Sequence, residues 1–165
     1  MVAVLRMLLV ALALCGLSSC APSKFKSYNG PAVTAVEVHK ADRKMYLLHG
    51  TQILKSYDIE LGGTPVGAKQ FEGDGKTPEG AYYITHRNPN STYHLSLGIS
   101  YPNPADVAFA DAQEQKAGDN IFIHGQPTGT RERGDWTVGC IAVKDRDMEN
   151  IYAMVNPGTP INIFP

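Results

Sequence analysis

The residues best suited to do chemistry in this sequence are His124 and Cys140, separated by a polar stretch that contains Gly125, Gly129, Gly134 and Gly139. His124 ends the apolar run Ile121-Phe122-Ile123, which reads as a buried strand. A glycine-rich loop after such a strand can fold back and lay Cys140 beside His124. A free thiol near neutral pH is only partly thiolate, so it needs help to attack a carbonyl. A neighbouring imidazole either takes the proton during attack or holds a thiolate–imidazolium pair. Gly139 lets the backbone turn sharply before the sulfur, so that amide N–H groups can aim at a developing oxyanion. The plain alternatives are a buried inert cysteine and a hydrogen-bonded structural histidine. The joint presence of Gly125, Thr137 and Gly139 around the pair favours the chemical reading.

Elements must position these groups, and the pattern supplies them. Residues 33–39, 44–49 and 53–61 read as three strands of a meander, with turns at Ala41-Asp42-Arg43 and Gly50-Thr51-Gln52. Residues 62–80 carry too many glycines and prolines for regular structure. Strands are expected again at 81–85, 94–99 and 121–124, and the chain closes with one at 159–164. A helix is expected over 105–117, stopped by Gly118. A second begins at Lys144-Asp145-Arg146-Asp147, buries Met148, Ile151, Tyr152 and Val155 at helical spacing, and ends at Asn156-Pro157-Gly158.

The chain has 165 residues, with 15 Lys+Arg against 16 Asp+Glu, and is 43% apolar. That is one domain's worth, neither disordered nor fibrous, and β-rich by its sixteen glycines and eleven prolines. Near-neutral charge gives no electrostatic case for nucleic acid or an anionic membrane surface. Arg6 followed by the apolar run Met7–Leu17 reads as an export signal over residues 1–19, too short to span a bilayer. Leu17-Ser18-Ser19-Cys20 resembles a lipobox, which makes Cys20 the lipidated first residue. Residues 20–30 then serve as anchor and spacer, and 31–165 as the domain. The expected address is the periplasmic side of the envelope. The outer membrane is favoured because position 22 is Pro rather than Asp. Cys15 leaves with the signal, so Cys140 is the single thiol of the exported domain.

The paired motifs His124-Gly125 and Thr137-Val138-Gly139-Cys140 resemble those of the L,D-transpeptidases with a YkuD-type catalytic domain. Gly73-Asp74-Gly75-Lys76-Thr77-Pro78-Glu79-Gly80 is similar to that family's Thr-Pro-x-Gly loop. Residues 95–103 look like its branch of small envelope enzymes. The resemblance implies a mainly β fold, a sandwich of mixed strands with a few short helices, over residues 31–165. It implies Cys140 as nucleophile, His124 as general base and then acid, and the Gly125 carbonyl as the group that orients the ring. The Gly139 and Cys140 amides would form most of an oxyanion hole, with Thr137 supporting the loop. Two departures stand out. Val138 replaces a frequent His or Arg, and Ala142 replaces a frequent Arg that would grip a substrate carboxylate. Arg131, Arg133 or Arg146 would have to take over that grip. His94, with Ser96 on the same strand face, forms either a solvated face or a wall of the substrate groove. Trp136 and Tyr101 are candidates to line the groove too, although core packing is the commoner use of such aromatics.

Other chemistries fall away. Gly75-Lys76-Thr77 mimics a phosphate loop, but Gln70 stands where a glycine is needed. Neither a calcium loop nor zinc spacing is found among the scattered histidines, so no metal and no cofactor is expected. Sortases use a longer gap and Thr-x-Thr-Cys, and peptidases of the NlpC type place Cys before His. The resemblance implies acyl transfer on peptidoglycan stem peptides; a monomer is expected, meeting the membrane only through its N-terminal lipid. The acceptor would be another stem peptide or an envelope protein. The same thioester resolved by water would make an amidase that trims or releases wall-linked material. A non-catalytic wall-binding lipoprotein is the alternative outside enzymes.

Overall fold

A computed structural model describes residues 23–165. The export signal, Cys15 and the Cys20 lipidation site lie outside them. Among the described residues eight strands are formed: β1 (Ala35–His39), β2 (Lys44–His49), β3 (Gln52–Asp58), β4 (Gly80–Asn88), β5 (Ser96–Ile99), β6 (Phe122–His124), β7 (Ile141–Ala142) and β8 (Pro160–Phe164). Among the same residues two helices accompany them, α1 (Pro104–Asp111) and α2 (Asp145–Met154). The mainly β fold with mixed strands and short helices is as expected.

The strands form one sheet in the order β3-β2-β1-β8-β4-β5-β6-β7. Pairing is antiparallel except for β1 with β8 and β6 with β7. Alternation decides the inner face: Val36 and Val38 of β1 meet Ile161 and Ile163 of β8, all almost fully buried. β4 is shared by two halves. Its start pairs with β8 and its end with β5, and the register shifts between Ile84 and Arg87. Such an irregularity bends a strand and raises its twist. Here the sheet curls until its edges meet. Glu60, just beyond β3, exchanges hydrogen bonds with Ala142 of β7 at 2.9 and 2.8 Å. Inside lie Met45, Leu47, Leu61, Leu97, Ile123 and Ile141, with Met148 and Ile151 of α2 packed onto them.

Several elements differ from expectation: β3 ends at Asp58 rather than at 61, β4 runs on to Asn88, and β7 was not expected; two further differences, at α1 and before β3, have local reasons. α1 ends at Asp111 rather than at Gly118, because Glu114 takes a left-handed φ of 54°. Gln115 N–H then reaches Ala110 O and Glu114 N–H reaches Asp111 O, both at 3.0 Å, which closes the helix as a Schellman turn. The start of α1 follows its sequence: Asn103 caps it, Asp106 completes the capping box, and Pro104 opens the first turn. The turn before β3 uses only Gly50 and Thr51. The spacer is docked from Lys24 onward, with Lys24 and Lys26 bonded to the domain.

Candidate active site

β6 and β7 lie parallel, with Ile123 opposite Ile141 and His124 opposite Ala142. Cys140 precedes β7 by one residue, so it sits beside Phe122 and diagonally across from His124. Strand alternation puts Phe122, His124, Cys140 and Ala142 on one face and Ile123 and Ile141 in the core. Cys140 and His124 line one groove of about 590 Å³, together with Tyr93, Trp136 and Asn120. No charged side chain is among the described groove-lining residues.

The backbone before the sulfur is tightly determined. Gly139 has φ 134°, and a Cβ there would lie 2.6 Å from Lys76 O. Only glycine meets both demands. Gly62 is equally confined, with Gly75 O where a Cβ would go. The breaker-rich stretch 62–79 is thus the bed on which the turn before Cys140 rests. Asp74 organises that bed by accepting from the Gln70, Phe71 and Lys76 amides and from Lys69 Nζ at 2.9 Å. Thr137 fastens the turn from the other side. Its hydroxyl donates to Cys140 O at 2.8 Å and accepts Gly139 N–H at 3.1 Å. The Gly139 amide is therefore engaged within the turn. The Cys140 amide stands outside the β6–β7 ladder, which begins at Ile141, and is the donor next to the sulfur.

His124 is 4% exposed, and its Nδ1 lies 2.7 Å from Gly125 O. A carbonyl only accepts, so Nδ1 carries the proton and Nε2 of the neutral ring offers a lone pair. Gly125 N–H bonds Tyr93 O at 3.0 Å and Gln126 N–H bonds Asp145 Oδ1 at 2.8 Å, which anchors the loop after the ring. Tyr93 and Trp136 flank the imidazole at centroid separations of 4.5 and 5.6 Å. The Cys140 thiol donates to Asn120 O at 3.6 Å, and no hydrogen bond joins it to His124.

Electrostatics set the resting protonation. Burial pushes the Cys140 thiol above its ordinary value, although the Phe122 amide and the Lys69 charge pull the other way. Burial also pushes His124 below its ordinary value, partly offset by the Gly125 carbonyl. Both shifts favour neutral forms, so thiol and imidazole are uncharged together at neutral pH. The chemistry open to them is proton transfer from sulfur to Nε2 as attack occurs, rather than a preformed ion pair.

Other expected site residues are placed differently. Tyr101 is 4% exposed, donates to Ala117 O at 2.8 Å and packs on Tyr82, so it belongs to the core and not to the groove. Arg131, Arg133 and Arg146 line a second cavity of about 870 Å³, away from the sulfur. His94 faces that cavity as well, bonded to Glu149 at 3.1 Å. A left-handed φ of 67° at His94 breaks strand alternation there, so Ser96 reaches the groove and His94 does not. Trp136 does line the groove, with Nε1 donating to Glu60 at 2.7 Å. Val138 stands at its rim, 82% exposed. Sequence reasoning missed Tyr93 and Asn120. The Asp119-Asn120 dipeptide was a turn signal for the latter, and an aromatic in a Ser/Thr loop was the only cue for the former.

Residues 33–163 match the family model for the L,D-transpeptidase catalytic domain. YafK of Escherichia coli K12, named a candidate L,D-transpeptidase, is 28% identical over 144 residues, covering 79% of this chain and 53% of its own. Among solved structures, the helical cell shape determining protein Pgp2 of Campylobacter jejuni is similar at a TM-score of 0.63 and 27% identity, over 82% of this chain and 49% of that one. Bd1075 of Bdellovibrio bacteriovorus is similar at a TM-score of 0.58 and 25% identity, over 85% and 50%. The chain spans about half the length of these relatives.

Proposed function

The chain belongs to the L,D-transpeptidase catalytic domain family, and from that premise we propose that it transfers acyl groups between peptidoglycan stem peptides through a thioester on Cys140. The observation that carries this reading is the shared groove: Cys140 and His124 on adjacent parallel strands, with the imidazole tautomer fixed by Gly125 O. The thiol turns from Asn120 O toward the substrate and gives its proton to Nε2. Sulfur bonds to the carbonyl carbon that precedes a terminal D-residue, and the carbonyl electrons move to an oxyanion that faces the Cys140 N–H. Collapse breaks the C–N bond, and the imidazolium returns its proton to the departing D-alanine amine. An acceptor amine then loses a proton to Nε2, attacks the thioester and frees the sulfur, which is reprotonated. Splitting one hard exchange into two acyl transfers is what such a nucleophile supplies. The apolar leader and Cys20 support an address for this work: exported, lipid-anchored and on the periplasmic side.

Purified protein given defined muropeptides, with products read by mass spectrometry, tests the proposal. Cross-linked products, absent with Cys140→Ala, are the expected result. Products that are only trimmed or released would replace transfer by hydrolysis at the same sulfur. Full biological activity of Cys140→Ala would overturn both and leave a wall-binding role. A carbapenem adduct on the unchanged protein but not on that variant is a rapid first check.

A further inference from the structure

The segment that leads into β1 is gripped by the groove's own wall. Lys24 Nζ donates to Pro89 O at 2.8 Å and to His94 O at 3.0 Å. Those carbonyls bound the loop whose Asn90, Ser91, Thr92 and Tyr93 line the groove. Lys26 pairs with Glu149 Oε2 at 2.9 Å, and Glu149 Oε1 lies 3.1 Å from the His94 ring. Phe25 packs on Tyr152 of α2 at 6.3 Å between centroids. Within these grips the chain makes a γ-turn centred on His94. Leu95 N–H bonds Tyr93 O at 2.8 Å, and His94 holds φ 67°. That conformation is strained for a residue with a Cβ and persists only where its surroundings over-determine it. What the turn achieves is the placement of Tyr93. Its ring lies 4.5 Å from the His124 ring, inclined by 36°, and its carbonyl receives the Gly125 N–H.

We infer that Lys24 is a positioning residue for the catalytic imidazole: by holding the two ends of the 89–94 loop it keeps the His94 turn closed and Tyr93 seated on His124. The docked strap thereby becomes part of the site. The kinetic half of the test rests on the transpeptidase reading; the spectroscopic half does not.

Lys24→Met in the full chain keeps the aliphatic stem and removes the donors. The His124 ring, better hydrated once Tyr93 is loosened, then titrates closer to the ordinary 6.5 by proton NMR. Carbapenem acylation of Cys140 falls roughly tenfold, well within what a displacement of about 1 Å costs a positioned group. Lys24→Arg, which still presents donors to both carbonyls, restores titration and rate. A Lys24→Met protein that titrates and acylates unchanged overturns the inference. So does one that only melts at lower temperature while both readouts stand still. A chain that acylates nothing sinks the transpeptidase reading, yet the titration still decides the role of Lys24.

Discussion

A neutral thiol beside a neutral imidazole has its own pH signature. His124 must be unprotonated to accept the proton, and burial depresses its titration, so the acid limb of acylation lies below the ordinary 6.5. The thiol is pushed up, so the competent pair persists to beyond 9.0. Single-turnover carbapenem acylation should show a broad plateau between these limits. An acid limb above 6.5 would contradict it. Thr137 gives a second prediction. Thr137→Val removes the bonds to Gly139 N–H and Cys140 O and leaves both groups unpaired near the sulfur. Losing two such bonds at a reacting centre should slow acylation by about ten- to a hundredfold, and Thr137→Ser should recover most of the rate. At this scale the sequence was readable wherever chemistry and backbone coincide. His124, Gly125, Thr137, Gly139 and Cys140 share one strand–loop–strand stretch, and their types announce the constraint. His94 stands off the groove because side-chain direction depends on turns that composition does not encode, here its own left-handed φ, whereas Tyr101 takes the core use that aromatics favour.

At the scale of elements, the turn that carries Cys140 depends on a stretch without regular structure. Residues 62–79 press Lys76 O against Gly139 and Gly75 O against Gly62, and Asp74 keeps that loop in shape. Burial alone would raise the Asp74 carboxyl, but the Gln70, Lys76 and Phe71 amides and Lys69 outweigh it and hold it below the ordinary range. Asp74→Asn weakens the pair with the buried Lys69 and misfits part of this set. It should cost about 1–3 kcal/mol of stability, measured by urea unfolding. Acylation should slow as well, because the Gly139 turn loses its bed. Stability loss without slower acylation would detach the loop from the site. Most strands were legible from their apolar patterning and α2 from its spacing, whereas the two-residue β7 was too short to leave a pattern. The true end of α1 was not, since Glu114 rather than a glycine adopts the terminating conformation. The Thr-Pro-x-Gly resemblance pointed to this loop, but its service as a steric stop became clear only when it was seen packed on Gly139.

For the whole molecule, the decisive feature is the seam where the curled sheet meets itself. β7 is two residues long and pairs with a three-residue β6, so it has little hold of its own. Glu60 and Leu61 give it a second neighbour through bonds to Ala142 and Thr137. No strand pattern foretells such a closure, because it joins segments about eighty positions apart through a curvature set by the β4 irregularity. Asp135 clasps the seam. Its Oδ1 accepts Leu61 N–H at 2.8 Å, and its Oδ2 meets Arg43 of the β1–β2 turn at 2.6 Å. Burial would raise this carboxyl, but Arg43 and the Leu61 amide prevail and depress it. A depressed folded-state value means stability that is complete above the ordinary 3.8 and is lost as pH falls from there through the folded value. Asp135→Asn keeps an oxygen for Leu61 and replaces the oxygen that meets Arg43 Nη2 by an NH2 that cannot accept, so the ion pair is lost. The variant should be less stable at neutral pH by about 1 kcal/mol, a figure kept small by the partial exposure of Arg43. That deficit should shrink toward zero as the medium is acidified below the aspartate range, because the native clasp then loses its charge too. Urea midpoints of both proteins across pH measure this directly. A deficit that stays constant into acid would mean that Asp135 acts through packing, and the seam would then owe its closure to backbone pairing alone.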